Sequence, residues 1–207
     1  MLCAFDIKSI LADHLLQNAS ANSILAVEVP FCYGFRRADM LYLEQGKTHG
    51  FEIKSDLDSL DKLEDQVRDY RNTFSYSWLV VTAKHLPKAR KKVSSSIGII
   101  MIQKNGTIQI VRHARENKRL SKNNLVFLLE KSHLVNLLKD ANAFPKQKII
   151  EIGKLREMGE AKLTTKQLVK ASYDALFSRY KKAYELFSFD RGMRTTHDDI
   201  YYLSGAK

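Results

Sequence analysis

The amino-acid sequence predicts an α/β fold, and three observations support that prediction. Six short segments have the length and composition of β-strands, while helical apolar spacing occurs before, between and after them. Two pairs of these segments are joined by short glycine-containing loops of the hairpin type. The predicted order is helix, three strands, helix, strand, short helix and two strands, followed by a helical appendage. Because the middle strands are close in sequence, we expect them to be antiparallel.

The first three strands follow an N-terminal helix. Ala4, Ile7, Leu11 and Leu15 have helical spacing, which predicts a helix over residues 3–18. The strands predicted next are residues 24–31, 39–43 and 48–54. The loop EQGK between the last two has the length and the glycine of a hairpin connection, so these two strands should pair.

A second helix leads to the remaining strands. Apolar residues recur at helical spacing over residues 56–72, with Ser55 or Asp56 as the predicted N-cap. The basic segment 87–93 predicts a short helix. Strands are predicted over residues 78–82, 97–102 and 107–111. The Asn-Gly pair in the loop QKNG predicts that the last two strands form a hairpin.

The rest of the chain is predicted to be helical. Polar residues 113–124 form a candidate linker, which divides the chain into a core of residues 1–112 and a basic appendage of residues 125–207. The predicted appendage helices are residues 125–138, with a break and cap at Ser132, residues 147–158, and a long helix that begins after a capping box at Thr164 and ends near Phe187. The tail from Phe189 onward is polar and is expected to be loose.

Composition limits the classes of function. The chain has 207 residues and a hydrophobic fraction of 44%, which argues against a disordered chain. Its apolar runs are shorter than the ~18 residues that a membrane helix needs, and its N-terminus lacks the features of a signal peptide. The two cysteines form neither a disulfide framework nor a metal-binding spacing. We therefore expect a cytoplasmic protein with no membrane partner.

The net charge of +11 is unevenly distributed along the chain. Residues 1–83 have a balance of −4 and residues 84–207 have a balance of +15. This asymmetry favours a polyanionic partner such as nucleic acid, with a separate acidic site. The alternative is a soluble basic protein without such a partner.

Three ionisable residues are expected to converge within the sheet. Glu52 and Lys54 are two apart on one strand and project to the same face, and Asp39 begins the strand that should pair with it. Because such groups are costly to bury, a functional reason is expected. Two carboxylates form a hard oxygen site suited to Mg²⁺ or Mn²⁺, and an adjacent lysine suits phosphodiester hydrolysis. The alternative is a surface hairpin with an ordinary Glu52–Lys54 pair.

This pattern resembles the D…(E)XK core of the PD-(D/E)XK nuclease superfamily. Gln66 and Tyr70 strengthen the resemblance, because they share a helical face. They are similar to the Q-x-x-x-Y helix of the RecB-like and Cas4-like branches, where they would hold substrate or orient the site. The arrangement RRAD…EIKSDLDSLDKLEDQVRDY looks closest to a small bacterial and phage family of that superfamily. The resemblance covers about residues 1–112 and implies a restriction-endonuclease-like αβββαβ core with a mixed central sheet. Ala38 stands where the motif has proline.

The resemblance also implies roles for individual residues. Asp39 and Glu52 would be metal ligands, and the backbone carbonyl of Ile53 would be a third. Lys54 would be the catalytic lysine. Glu28 lies on the preceding strand, where several branches of the superfamily place a further acidic ligand.

Basic residues outside this cluster are candidates for nucleic-acid contacts. They are Arg36, Arg37, Lys88, Lys91, Lys170 and Lys181. The last two belong to one side of the long C-terminal helix that interleaves lysines with aromatic residues, namely Lys166, Lys170, Tyr173, Phe177, Lys181 and Tyr184. Such a stripe can hold phosphates and stack bases. The alternative is that its aromatic residues pack against the first domain, with the lysines at the rim.

The combined prediction is a metal-dependent nuclease that hydrolyses DNA phosphodiester bonds with Mg²⁺ or Mn²⁺ as its cofactor. By resemblance, its setting would be DNA repair, recombination, or phage or mobile-element DNA processing. The alternatives are a non-catalytic nucleic-acid-binding module and a protein-interaction module, each retaining the fold. In the latter case the C-terminal helices would contact a protein partner.

Overall fold

A computed structural model describes residues 1–17, 19–144 and 150–204 of the chain. In these ranges the strands are β1 (Ile24–Phe31), β2 (Arg36–Glu44), β3 (Lys47–Lys54), β4 (Tyr76–Thr82), β5 (Gly98–Ile102) and β6 (Ile108–Arg112). The helices are α1 (Ala4–Leu16), α2 (Leu63–Thr73), α3 (Leu86–Lys92), α4 (Lys122–Phe127), α5 (Lys131–Asp140), α6 (Ile152–Lys162), α7 (Thr165–Asp190) and α8 (His197–Tyr202), with a short 3₁₀ turn at Cys32–Gly34.

The strands form one mixed sheet in the order β1-β2-β3-β4-β5-β6. The pairs β1–β2, β2–β3 and β5–β6 are antiparallel, whereas β3–β4 and β4–β5 are parallel. Helices α2 and α3 lie in the two parallel connections, which are too long for hairpins. The predicted α/β class and both predicted hairpins are therefore confirmed.

The turn between β2 and β3 explains why this hairpin forms. Gln45 and Gly46 both have positive φ, 49° and 75°, which is the conformation of a two-residue turn that matches the twist of antiparallel strands. The turn fixes a register in which Glu44 pairs with Lys47 and Met40 pairs with Phe51. That register determines which side chains of the two strands face each other.

Helices cover both faces of the sheet. Helices α1 and α8 share a buried cluster with β1–β5, which includes Ile7, Val27, Met40, Phe51 and Ile200. Helix α2 and helix α3 pack on β4 and β5 in a second cluster. The side chains of α4 to α7 join β1, β2 and α2 in a third. The C-terminal helices therefore share one hydrophobic core with the sheet.

Helix α2 begins later than predicted. It starts at Leu63 rather than residue 56, and its N-cap is Lys62 rather than Ser55 or Asp56. The Asp58 carboxylate accepts hydrogen bonds from the backbone and hydroxyl of Ser55, at 2.8 and 2.6 Å. This local bonding competes with a helical first turn. It leaves Leu57 72% exposed.

Two expectations for the C-terminal part are also corrected. The break in segment 125–138 falls before Lys131, with Glu130 rather than Ser132 as the N-cap of α5. Helix α6 begins at Ile152, and the predicted start at residue 147 lies outside the described residues. The capping box at Thr164 is confirmed as the start of α7.

The tail is folded rather than loose in its described part, up to residue 204. Thr196 and Asp199 form a capping box that starts α8, and both Ile200 and Leu203 are buried. The Val27 amide donates a hydrogen bond to the Leu203 carbonyl at 3.1 Å. The tail therefore covers part of edge strand β1, whose outward backbone groups need partners.

The predicted linker is held against the sheet domain. Backbone amides of Arg115, Asn117 and Ser121 donate to carbonyls of Ser96, Ser75 and Asn72, respectively, at 2.8 to 2.9 Å.

Among the described helices, none has the length and apolar character required to cross a membrane.

Candidate active site

Glu28, Asp39 and Glu52 lie in one row across three neighbouring strands. In the β1–β2 register, Val27 pairs with Met40 and Val29 pairs with Ala38, which places Glu28 opposite Asp39. In the β2–β3 register, Met40 pairs with Phe51, so the next position along brings Asp39 opposite Glu52. Opposed residues on antiparallel strands have neighbouring side chains. We call these three residues the acidic row.

Strand β1 is distorted at the acidic row. Glu28 has φ 54°, a left-handed conformation that costs a non-glycine residue about 1–2 kcal/mol. Val27 belongs to the cluster under α1, whereas Val29 belongs to the cluster under the C-terminal helices. In a regular strand these two residues would share a face. The backbone at Glu28 therefore reverses the alternation of β1.

Asp39 is held by hydrogen bonds to its neighbours. Its Oδ2 accepts from the Ile53 amide at 2.7 Å. Its own amide donates to the Tyr70 hydroxyl at 3.1 Å, and that hydroxyl donates to the Phe51 carbonyl at 3.1 Å. Tyr70 is 1% exposed, so it joins β2 to β3 and positions the site. Burial, followed by the charges of Glu52 and Asp39, raises the pKa of Tyr70, which keeps the phenol neutral.

Glu52 and Lys54 form a buried ion pair. Lys54 Nζ lies 2.8 Å from Glu52 Oε1, and the two side chains are 10% and 5% exposed. The expectation that they project side by side is therefore confirmed. Such a pair is stable only when each charge keeps its partner.

A second lysine enters the site from α1. Lys8 Nζ lies 2.5 Å from Glu28 Oε1, and the Lys8 side chain is 6% exposed. Sequence reasoning missed this residue. The available signal was its position four residues after Ala4 and three before Leu11, which places a lysine on the apolar face of the helix.

The electrostatics of the row centre on Asp39. Burial raises its pKa to about 7, and repulsion from Glu52 adds to that effect. The Ile53 amide and the Lys8 ammonium oppose the increase, while Glu28 contributes to it. A carboxyl perturbed by burial and by a second carboxyl is typical of functional sites.

The donor set fits a hard divalent cation. The acidic row supplies carboxylate oxygens, which Mg²⁺ and Mn²⁺ prefer. Burial and then repulsion from Glu52 raise the pKa of Asp39, and a bound cation relieves such repulsion. Within the described residues, Cys3, Asp6 and His197 form a group whose ligand atoms all lie within 4.8 Å of one another. These three groups also serve the start of α1, where Asp6 accepts the Cys3 amide and contacts His197, so we assign them no metal.

Gln66 and Ile53, to which the nuclease resemblance also assigns roles, lie beside Tyr70 and Asp39, respectively. Gln66 lies one turn before Tyr70 on α2, and its Oε1 is buried without a hydrogen-bond partner in the described part of the chain. An unpaired buried oxygen requires an explanation, and a ligand or an ordered water would satisfy it. The Ile53 amide is engaged by Asp39, while its carbonyl as a metal ligand stays a prediction.

The basic candidates occupy several surfaces. Arg36 forms an ion pair with Asp69 at 2.8 Å, and Arg37 is exposed beside it. Lys88 and Lys91 are exposed on α3. On α7, Lys170 pairs with Asp174 at 2.8 Å and Lys181 with Glu185 at 3.8 Å, all largely exposed. Nucleic-acid contacts at these residues remain predictions.

The aromatic residues of the α7 stripe pack inward. Tyr173, Phe177 and Tyr184 are partly buried against the core, while the lysines between them are exposed. This arrangement matches the packing alternative for the rings, with charges at the rim.

The mixed sheet and the acidic row with its two buried lysines define an α/β protein with a charged site built into its sheet. The chain belongs to the family of Bacteriophage P4 protein cII, which matches residues 4–204. It is similar to Protein cII of Enterobacteria phage P4, with 36% identity over 106 residues, or 50% of this chain. That similarity spans 40% of the relative's length. No solved structure matches the chain.

Proposed function

We propose that this protein is a metal-dependent nuclease of the PD-(D/E)XK type that hydrolyses DNA. The observation that carries the proposal is the convergence of Asp39, Glu52 and Lys54 at neighbouring positions of β2 and β3. Burial of a carboxylate pair costs stability in the absence of a cation, as the raised pKa of Asp39 indicates. Because the fold keeps these carboxylates buried at a cost in stability, a functional role for them is supported.

The residues of the row have distinct proposed roles. Asp39 and Glu52 hold Mg²⁺ or Mn²⁺, with Glu28 as a third carboxylate at the same level of the sheet. The cation supplies Lewis-acid stabilisation of a phosphate and activates water. Lys54 neutralises charge that grows on the phosphate, and Lys8 holds Glu28 in place.

The setting is proposed from the family. Membership of a phage protein family supports phage or mobile-element DNA processing, with DNA repair and recombination as related settings. The net charge of +11 supports a nucleic-acid substrate because cationic surfaces release counterions from phosphates.

The test is a cleavage assay on supercoiled, linear and single-stranded DNA with Mn²⁺, Mg²⁺ or EDTA. We expect metal-dependent cleavage by the parent protein and none by Asp39→Asn or Glu52→Gln. Asp65→Asn is the matched control, since Asp65 lies on the exposed side of α2 and its side chain is 59% exposed. Equal cleavage by Asp39→Asn and the parent would mean either a contaminating nuclease or a different site.

A further inference from the structure

The loop that joins β1 to β2 exposes two aromatic side chains close to the acidic row. Tyr33 is 44% exposed and Phe35 is 86% exposed. The two rings lie two residues apart on one short loop, and an exposed ring offers a face on which a base can stack. We call residues 32–35 the aromatic loop.

The backbone of this loop is strained. Cys32, Tyr33 and Gly34 have φ values of 48°, 58° and 84°. Two consecutive non-glycine residues in this conformation cost about 1–2 kcal/mol each. This left-handed backbone reverses the direction of the chain within four residues, so that Phe31 pairs with Arg36.

The aromatic loop lies at a defined distance from the acidic row. Three residue pairs separate them along the β1–β2 ladder, ending with Phe31 and Arg36. Phe35 is therefore four residues from Asp39, which is about 13 Å at about 3.3 Å per residue. A nucleic-acid strand with a phosphate at the row therefore reaches the loop within about four base steps of 3.4 Å each.

A cationic groove borders the loop. It has a volume of about 630 Å³ and is lined by Pro30, Phe127, Glu130, Ile152, Arg156 and Arg179, among others. The Tyr33 and Phe127 ring centroids are 5.2 Å apart, and the Arg156 guanidinium lies 5.0 Å from the centroid of the Phe127 ring. Within the described residues, Arg156 Nε is buried without a hydrogen-bond partner. Arginine with exposed aromatic rings is the combination that binds unpaired nucleotides.

We propose that the aromatic loop and this groove bind single-stranded DNA and lead it to the acidic row. The inference rests on the proposed nuclease function and adds the class of substrate. Bases inside a duplex are already stacked on one another, so exposed rings contribute binding energy only to unpaired bases. The substrate of this site is then an unpaired strand, a flap or a frayed end.

The test is anisotropy of a labelled single strand and of a blunt duplex of the same sequence, measured in EDTA so that no cleavage occurs. Phe35→Ala should weaken single-strand binding about ten-fold, within the range reported for stacking of one base. It should leave duplex binding nearly unchanged, because paired bases are already stacked on one another. The melting temperature should also stay nearly unchanged, because Phe35 is 86% exposed. Phe189→Ala is the matched control, since Phe189 is 90% exposed on α7 and should have no effect.

Phe35→Trp provides a second readout. It should bind single-stranded DNA as tightly as the parent does, unlike Phe35→Ala, and its fluorescence should be quenched when single-stranded DNA is added. Equal loss in Phe35→Ala and Phe189→Ala, or single-strand binding that neither changes, overturns the inference. Cleavage by the parent with Mn²⁺ is measured separately, so a protein that binds through Phe35 but does not cleave refutes the proposed function alone.

Discussion

Replacing Asp39 with asparagine should stabilise the protein at alkaline pH in the absence of metal. The variant removes a buried charge that faces Glu52, while the new amide oxygen can still accept the hydrogen bond from the Ile53 amide. The expectation is unusual, because most substitutions at a hydrogen-bonded residue destabilise.

The magnitude follows from the pKa of Asp39, which is 3.8 in the unfolded chain and about 7 in the folded protein. Between these values the folded state binds more protons than the unfolded state, so stability falls as pH rises. At about 1.4 kcal/mol per pKa unit, the charge costs about 1–2 kcal/mol at pH 5 and up to about 4–5 kcal/mol at pH 8. The advantage of Asp39→Asn should therefore grow by up to about 3 kcal/mol between these pH values.

The assay is thermal or urea unfolding of both proteins at pH 5 and pH 8 in EDTA. For a chain of this length about 1 kcal/mol corresponds to 2–4 °C, so the difference in melting temperature should widen by up to about 6–12 °C. Asp56→Asn is the control, because the neighbouring Thr82 side chain, followed by the hydrogen bond from the Leu2 amide, lowers the pKa of Asp56, so that it titrates below this range. Its effect should be the same at both pH values.

Metal provides the second arm of the same experiment. At pH 8, Mn²⁺ at a hundred times its dissociation constant should stabilise the parent by about 2.7 kcal/mol and Asp39→Asn much less. If the Asp39→Asn effect is equal at pH 5 and pH 8, burial and the charge of Glu52 do not raise the pKa of Asp39 and the reasoning fails. If the stability difference depends on pH but Mn²⁺ does not stabilise the parent, the buried carboxylate pair is supported and the metal site is refuted.

Three further predictions concern single residues. Lys54→Ala should abolish most cleavage and leave DNA binding nearly intact, compared in parallel with Lys104→Ala at an exposed lysine of the β5–β6 turn; a Lys54→Ala variant that cleaves like the parent would rule out Lys54. Glu28→Gly should be more stable than Glu28→Ala by about 1 kcal/mol in urea unfolding, because only glycine relieves the positive φ at that position, and equal stabilities would argue against the strain. Phe187→Ala should cost about 3–5 kcal/mol because its ring is fully buried, whereas Phe189→Ala, two residues later, should cost almost nothing; similar melts would contradict the packing of α7.

The sequence by itself determined much of the sheet. Period-two spacing placed Glu52 and Lys54 on one face, and the short glycine loop placed the start of β2 beside the end of β3, so Asp39 was expected near them. Turn chemistry and alternation act within a few residues. They are therefore visible without the rest of the protein.

The tertiary structure decided what surrounds that pair. Lys8 reaches Glu28 from a helix 20 residues earlier, and the left-handed backbone of Glu28 appears in no local pattern. Tyr70 was expected to orient the site or hold substrate, but only its packing between β2 and β3 shows that it joins their backbones. The tail looked loose because its residues are polar, yet the open edge of β1 supplies a partner for its Leu203 carbonyl. Contacts between distant segments depend on how whole elements pack, and no short stretch of sequence encodes that packing.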